Sequence, residues 1–253
     1  KKIMDFELYK RIIDEAAAWK IPIVKPNGVG EPLLYPRIGD AIAYAKKKGI
    51  TSVIIDTNAN LLTEEKAMDI IKAGLDKIII SIEGVNKEQY ERVRVGGNFN
   101  LLLENVKRFK EMRDRHNKNL LIAIQTVIDI KGSNNSKKKF TEFWGKYCDK
   151  IEFSRLNLHF CPSTKKEKIK YEAKQELMQI ECLYPFLGLS ILEVGRVTFC
   201  CADYNGVLTV GDISKSSLKD IWNSKKMEEI REIFKRKEFK KIPFCHECIT
   251  KNK

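Results

Sequence analysis

The sequence has no apolar run approaching the roughly 18 residues that a membrane-spanning helix requires, which excludes an integral helical membrane protein. Behind the opening Lys1-Lys2 there is no apolar h-region, so no secretory signal is visible there. Glycine and proline are scarce, 14 and 7 residues, which argues against collagen-like and wholly disordered chains. Negative charge is the minority sign, and the formal net charge is +13. The basic residues nevertheless mix with acidic ones along helical stretches such as 215–241 and are not interleaved with aromatics. A solvated basic surface is therefore expected rather than a nucleic-acid-binding face, and neither nucleic acid nor membrane is an expected partner. What remains is 253 residues with 43% hydrophobic content, enough to bury a core in one domain with a small appendage.

Short apolar runs alternate with amphipathic stretches through the first two-thirds of the chain. Helical spacing over Asp5 to Trp19, Arg37 to Lys48, Thr63 to Ala73, Asn100 to Arg115 and Lys137 to Tyr147 separates runs at 21–24, 51–56, 77–82, 120–128 and 151–154. This pattern predicts an α/β fold with a parallel sheet and crossover helices, open or closed into a barrel. The chain enters on a helix, whereas such a sheet normally enters on a strand. The pattern lapses between Phe160 and Glu181, which predicts one domain over 1–165 and a second over 166–253. Within the second, Leu189 to Leu192, a turn near Gly195 and Val197 to Phe199 predict a β-hairpin, and Ser216 to Lys237 predicts one helix.

The seven cysteines carry the strongest chemical signal. Cys148 and Cys161 stand alone, while Cys182, Cys200, Cys201, Cys245 and Cys248 crowd the last third. In a chain of cytoplasmic appearance, Cys245-x-x-Cys248 with further cysteines reads as a metal site, because thiolates suit soft metals and iron–sulfur clusters. Zinc would take four thiolates around one ion and a [4Fe–4S] cluster one thiolate per iron, and spacing alone does not separate them. Cys201 adjoins Cys200 and in a strand would face the other way, so one of the pair is expected to ligate. Polar residues at strand ends form a second group: Gly28, Gly30 and Glu31 after the first apolar run, Asn58 after the second, Ser81 ending the third, and Arg94 thirteen residues later. Glycines let a ligand approach backbone closely, and a guanidinium offers paired donors to a carboxylate. Each also has a plainer reading as a turn, a helix cap or a solvated side chain.

In their order, Gly28-x-Gly30-Glu31-Pro32, Thr57-Asn58, Ile80-Ser81-Ile82-Glu83-Gly84 and Val93-Arg94 resemble the radical S-adenosylmethionine (SAM) enzymes. Cys182-x12-Gly195-x4-Cys200, Gly211-Asp212-Ile213, Ile221-Trp222-Asn223-Ser224 and Cys245-x-x-Cys248 resemble the SPASM/twitch extension of that superfamily. The resemblance implies a partial (β/α)6 TIM-like barrel lacking its first strand, plus a small auxiliary-cluster domain. The family's Cys-x3-Cys-x2-Cys is absent, which implies an N-terminal segment upstream of Lys1 that carries the SAM-binding cluster, and a chain inactive without it. Position 59 is Ala where the family often has Gly, which calls the local turn into question.

By the same resemblance a 5′-deoxyadenosyl radical abstracts hydrogen from a small-molecule or peptide substrate, in an oxidoreductase-like reaction. Gly28, Gly30 and Glu31 would receive the SAM amino group, Ser81 and Arg94 its carboxylate, and Asn58 would lie near the ribose or methionyl end. Cys182, Cys200, Cys245 and Cys248 would hold an auxiliary [4Fe–4S] cluster aiding electron transfer, with flavodoxin or ferredoxin as electron donor. Asp203 is a weak candidate for proton acceptor, against a plainer role in the hairpin. A SPASM-type peptide maturase and a zinc-stabilised, non-catalytic binding module are the alternatives.

Overall fold

A computed structural model describes residues 3–28, 30–128, 134–155 and 182–251. They fall into two compact units, one before and one after the undescribed stretch 156–181. The expected boundary at 165/166 lies outside the described residues, as does Cys161.

The first unit runs α1 (Phe6–Ala18), β1 (Ile23–Val24), α2 (Ile38–Lys47), β2 (Ser52–Thr57), α3 (Glu64–Lys72), β3 (Lys77–Ser81), α4 (Lys87–Val93), α5 (Phe99–His116), β4 (Leu121–Ile128), α6 (Asn134–Trp144) and β5 (Lys150–Arg155). The five strands pair in chain order, all parallel, as the alternating pattern predicts and as a partial barrel requires. Ile78, Ile80, Ile122 and Ile124 are fully buried, which is why β3 and β4 read as unbroken apolar runs rather than as alternation.

Helix ends follow one design. In α1, α2 and α3 the second residue past the last helical one takes a left-handed φ: Lys20 at +57°, Gly49 at +90° and Gly74 at +85°. Each reversal closes with paired backbone bonds, as Gly74 N–H to Ile71 C=O (3.2 Å) and Leu75 N–H to Ile70 C=O (3.2 Å) show. The next residue, Ile21, Ile50 or Leu75, leads the chain back toward its strand. Entry into β3 and β5 is also repeated. Asp76 and Asp149 each precede Lys-Ile, and their carboxylates accept from the N–H of Val53 and Ile122 on the neighbouring strand, both at 2.7 Å. Lys46 pairs with the first (2.8 Å) and the buried Arg113 forks onto the second (2.8 and 2.9 Å).

The second unit comprises α7 (Tyr184–Leu187), β6 (Ser190–Ile191), β7 (Arg196–Thr198), β8 (Thr209–Asp212), α8 (Leu218–Trp222), α9 (Lys225–Lys235) and α10 (Pro243–Lys251). The expected hairpin is β6–β7, turning at Gly195 with φ +87°, and β8 extends it to a three-stranded antiparallel sheet. One expectation is corrected here. The single helix over 216–237 is two, because Ser224 accepts from Met227 N–H (3.3 Å) and caps a new start. Gly211 lies in β8, and a Cβ on it would lie 2.7 Å from Ile221, so glycine lets α8 pack directly on β8. Phe234 meets Phe199 and Phe239 edge to face. Among the described residues no helix is long and apolar enough to cross a membrane.

Candidate functional site

Strand C-termini gather the polar residues of the first unit. Just past β1, Lys25 Nζ donates to Asp56 of β2 (2.9 Å), and Asn27 Nδ2 does so at 3.3 Å. Four residues after Asn27 the chain meets β2 again through Glu31. Its Oε1 accepts from Thr57 Oγ1 (2.5 Å) and Leu33 N–H (3.2 Å), and its Oε2 from Asn58 N–H (2.9 Å). The loop carrying Gly28 and Gly30 is thus pinned at both ends to the end of β2. Neither glycine has positive φ, and a Cβ built on either meets no atom within 4 Å. Nothing in the described chain calls for glycine there, and what glycine leaves is open space over bare backbone. A carboxylate offers about four acceptor positions, of which three on Glu31 are taken, leaving one on Oε2 that suits an ammonium donor.

The turn after β2 is strained. Ala59 sits at φ +57°, a left-handed conformation costing an L-residue roughly 1–2 kcal/mol. The chain accordingly adopts with alanine the shape that glycine takes readily. Thr57 Oγ1 accepts from Ala59 N–H (3.0 Å), Asn58 Oδ1 from Asn60 N–H (2.9 Å), and the buried Asn105 of α5 donates to the Ala59 carbonyl (2.9 Å). Thr63 is the N-cap of α3, its hydroxyl accepting from Lys66 N–H (3.3 Å).

Ser81 ends β3 half-buried, and among the described residues its hydroxyl has no partner. Arg94, the C-cap of α4, forks onto Glu83 through Nε (2.5 Å) and Nη2 (2.8 Å), and this bond raises its pKa above the ordinary guanidinium value. The Nη1 donors remain, and Arg94 lies within electrostatic reach of Glu31. Sequence reasoning gave Glu83, Thr57 and Asn105 no role. Glu83 and Thr57 stand inside the quoted motifs, whereas nothing in the sequence around Asn105 marks it.

In the second unit, Cys182 precedes α7, Cys200 follows β7, and Cys245 and Cys248 stand one helical turn apart on α10. Burial pushes the Cys182 thiol up and those of Cys200 and Cys245 up to about 12, and repulsion among the thiolates acts in the same direction. Cys245 feels the charges of Cys200, Cys182 and Cys248, so the four expected ligands share one neighbourhood. Thiols that burial and mutual repulsion keep neutral become thiolates when a cationic metal centre offsets both effects. Among the described residues no three His, Cys, Asp or Glu side chains converge tightly enough for a single metal ion. As a donor set, four thiols are what an iron–sulfur cluster takes, one per iron.

Cys200 and Cys201 lie past the end of β7, so strand alternation does not distinguish them. Exposure does: Cys200 is half-buried, whereas Cys201 is exposed and bonded to the Tyr184 hydroxyl. Asp203 is 1% exposed, and its carboxylate accepts from Thr198 Oγ1 (3.0 Å), Val207 N–H (2.9 Å) and Leu208 N–H (2.7 Å). Those bonds brace the loop into β8.

Residues 2–131 match the model of the radical SAM superfamily. The chain belongs to the radical SAM superfamily. Residues 182–249 of this radical SAM protein match the SPASM iron–sulfur cluster-binding domain. Over 107 residues the chain is 33% identical to a probable GTP 3′,8-cyclase of Methanococcus maripaludis, a match covering 42% of this chain and 34% of that protein. Over 85 residues it is 35% identical to the AdoMet-dependent heme synthase of Methanosarcina barkeri, covering 34% of this chain and 24% of that one. The matches thus span about a third or less of these curated relatives. By fold it resembles BtrN in complex with AdoMet and 2-DOIA (TM-score 0.60, 19% identity, 97% of this chain and 80% of that one). It also resembles Streptococcus suis SuiB bound to the precursor peptide SuiA (TM-score 0.62, 14% identity, 91% and 61%). SAM and iron–sulfur clusters, the cofactors implied by the sequence motifs, are those of this superfamily and its SPASM domains.

Proposed function

We propose that the protein is a SAM-dependent, hydrogen-abstracting enzyme whose second domain carries an auxiliary [4Fe–4S] cluster and whose net reaction is an oxidation. Bound SAM supplies the chemistry, a 5′-deoxyadenosyl radical able to take a hydrogen atom from carbon, while the chain supplies position and exclusion of water. Glu31 accepts from the methionyl ammonium at its remaining Oε2 position, beside the open backbone of Gly28 and Gly30. Ser81 and the Nη1 donors of Arg94 serve the carboxylate, with Glu83 fixing the guanidinium, and Asn58 lies at the ribose or methionyl end. Cys182, Cys200, Cys245 and Cys248 provide one thiolate per iron. Asp203 is left out of the chemistry, since three internal donors occupy its carboxylate.

The observation that carries this reading is the shared neighbourhood of four thiols in a chain whose sheet belongs to the radical SAM superfamily. The substrate is a small molecule or a peptide, and the electron donor is flavodoxin or ferredoxin. The whole protein, reconstituted anaerobically with iron and sulfide, is expected to bind about four irons at the second domain. With SAM and a strong reductant it is expected to release 5′-deoxyadenosine. One zinc per chain without sulfide, and no 5′-deoxyadenosine, would return the protein to a metal-stabilised binding module.

A further inference from the structure

The turn that follows β2 is gripped from behind by α5. Asn105 is 2% exposed, and its amide donates to the carbonyls of Ala59 (2.9 Å) and Asn60 (3.3 Å). Arg108 Nη2 donates in turn to Asn105 Oδ1 (2.6 Å) and to the Leu62 carbonyl (2.9 Å). Between them they engage three carbonyls of a four-residue stretch whose first member, Ala59, holds the left-handed φ of +57°. A strained residue persists only where its surroundings over-determine it. An apolar residue could fill the volume of Asn105, but it would leave the buried Ala59 carbonyl without this donor. In front of the turn, Thr57 Oγ1 and Asn58 N–H donate to Glu31. Hydrogen bonds and two short lengths of backbone therefore link α5 to Glu31 without a break.

We infer that Asn105, backed by Arg108, is a positioning residue for the SAM site. It keeps the Ala59 turn left-handed, and the turn keeps Thr57 and Asn58 on Glu31, so that one acceptor position of that carboxylate stays reserved for the ligand. The inference rests on Glu31 as the ammonium acceptor, as proposed above. Outer partners that orient metal-ligating groups are worth about tenfold or more in affinity, and the same scale is taken for Glu31.

Two readouts test it: equilibrium SAM binding to the cluster-loaded protein, and amide hydrogen exchange at Asn58 and Ala59 in the protein without SAM. Asn105→Ala is expected to weaken SAM about tenfold and to speed exchange at both amides. Adding Ala59→Gly to that variant is expected to restore most of the affinity, because glycine takes the left-handed turn unaided. Loss of core packing alone would not be rescued this way. A folded Asn105→Ala protein with SAM affinity within about twofold of the original overturns the inference, as does a double variant without recovery. Glu31→Gln, measured beside them, separates the two layers. Unchanged SAM binding there sinks the Glu31 assignment itself. Weakened binding there with normal binding in Asn105→Ala sinks the positioning role alone. Should Asn105→Ala fail to fold, the double variant and Arg108→Met, expected to weaken SAM in the same direction, carry the same comparison.

Discussion

Cys200 and Cys201 are adjacent in sequence, yet only one is half-buried among the other thiols. Replacing Cys182, Cys200, Cys245 or Cys248 with Ala is expected to lower iron and sulfide per chain sharply, while Cys201→Ala and Cys148→Ala retain both. Elemental analysis after anaerobic reconstitution checks this, and a Cys201→Ala protein without iron would move the ligand by one position. Gly211 makes a different demand, for volume rather than charge. With Ile221 in the space a methyl group would need, Gly211→Ala is expected to destabilise the second unit by about 1–3 kcal/mol through overpacking. Urea unfolding followed by Trp222 fluorescence reads the change.

Helix endings belong to the next scale. α9 closes like α1, with Lys237 at φ +57°. Where Gly49 and Gly74 end their helices without strain, Lys20 and Lys237 do so against their Cβ atoms. The left-handed penalty of about 1–2 kcal/mol exceeds the roughly 0.4–1 kcal/mol that glycine loses through unfolded-state entropy. Lys20→Gly should therefore raise stability by up to about 1 kcal/mol, measurable as a higher melting temperature. The repeated Asp before β3 and β5 is an element-level device as well, because it ties a strand's first residues to its neighbour before the ladder begins. Burial alone would raise the Asp149 carboxyl, but the bonds from Arg113 and the Ile122 N–H outweigh it and hold it below the usual range. The Lys77 hydrogen bond does the same for Glu152. Depressed carboxylates stabilise the fold above their unfolded pKa, and that stability is lost as pH falls through the folded values. The first unit should hold steady near neutrality and weaken below about pH 4, and Asp149→Asn should flatten that acid limb. Circular dichroism against pH reports both.

At the scale of the whole molecule, each of the two units has its own core, and among the described residues the second gathers Cys182, Cys200, Cys245 and Cys248. Removing iron from reconstituted protein with a chelator is expected to loosen residues 182–251, where the proposed ligands come from three separate stretches of chain. The parallel sheet of residues 3–155 should be little affected. Hydrogen exchange on both units before and after chelation distinguishes this from global unfolding. Protection lost equally from β3, β4 and β7 would mean that the sheet depends on the metal too.

Much of this was legible from the chain alone. The apolar runs at 77–82 and 120–128 are β3 and β4, whose middle residues are buried on both faces and can be little else, and the run at 51–56 is β2, whose burial alternates along the strand. The cysteines crowded into the last third pointed to metal chemistry through residue type, since thiolates suit soft metals and iron–sulfur clusters. The sequence was silent wherever a property depends on residues distant in the chain. It left the stretch that becomes β8 without an assigned element, and only the packing of Ile221 explains its Gly211. It offered Arg94 as an open fork, but eleven residues back Glu83 completes a bidentate pair. The resemblance questioned Ala59 as standing where glycine is usual, and an amide from Asn105, forty-six residues away, holds the left-handed turn there. Local preferences are written residue by residue, whereas the partners that override them meet only after the chain has folded.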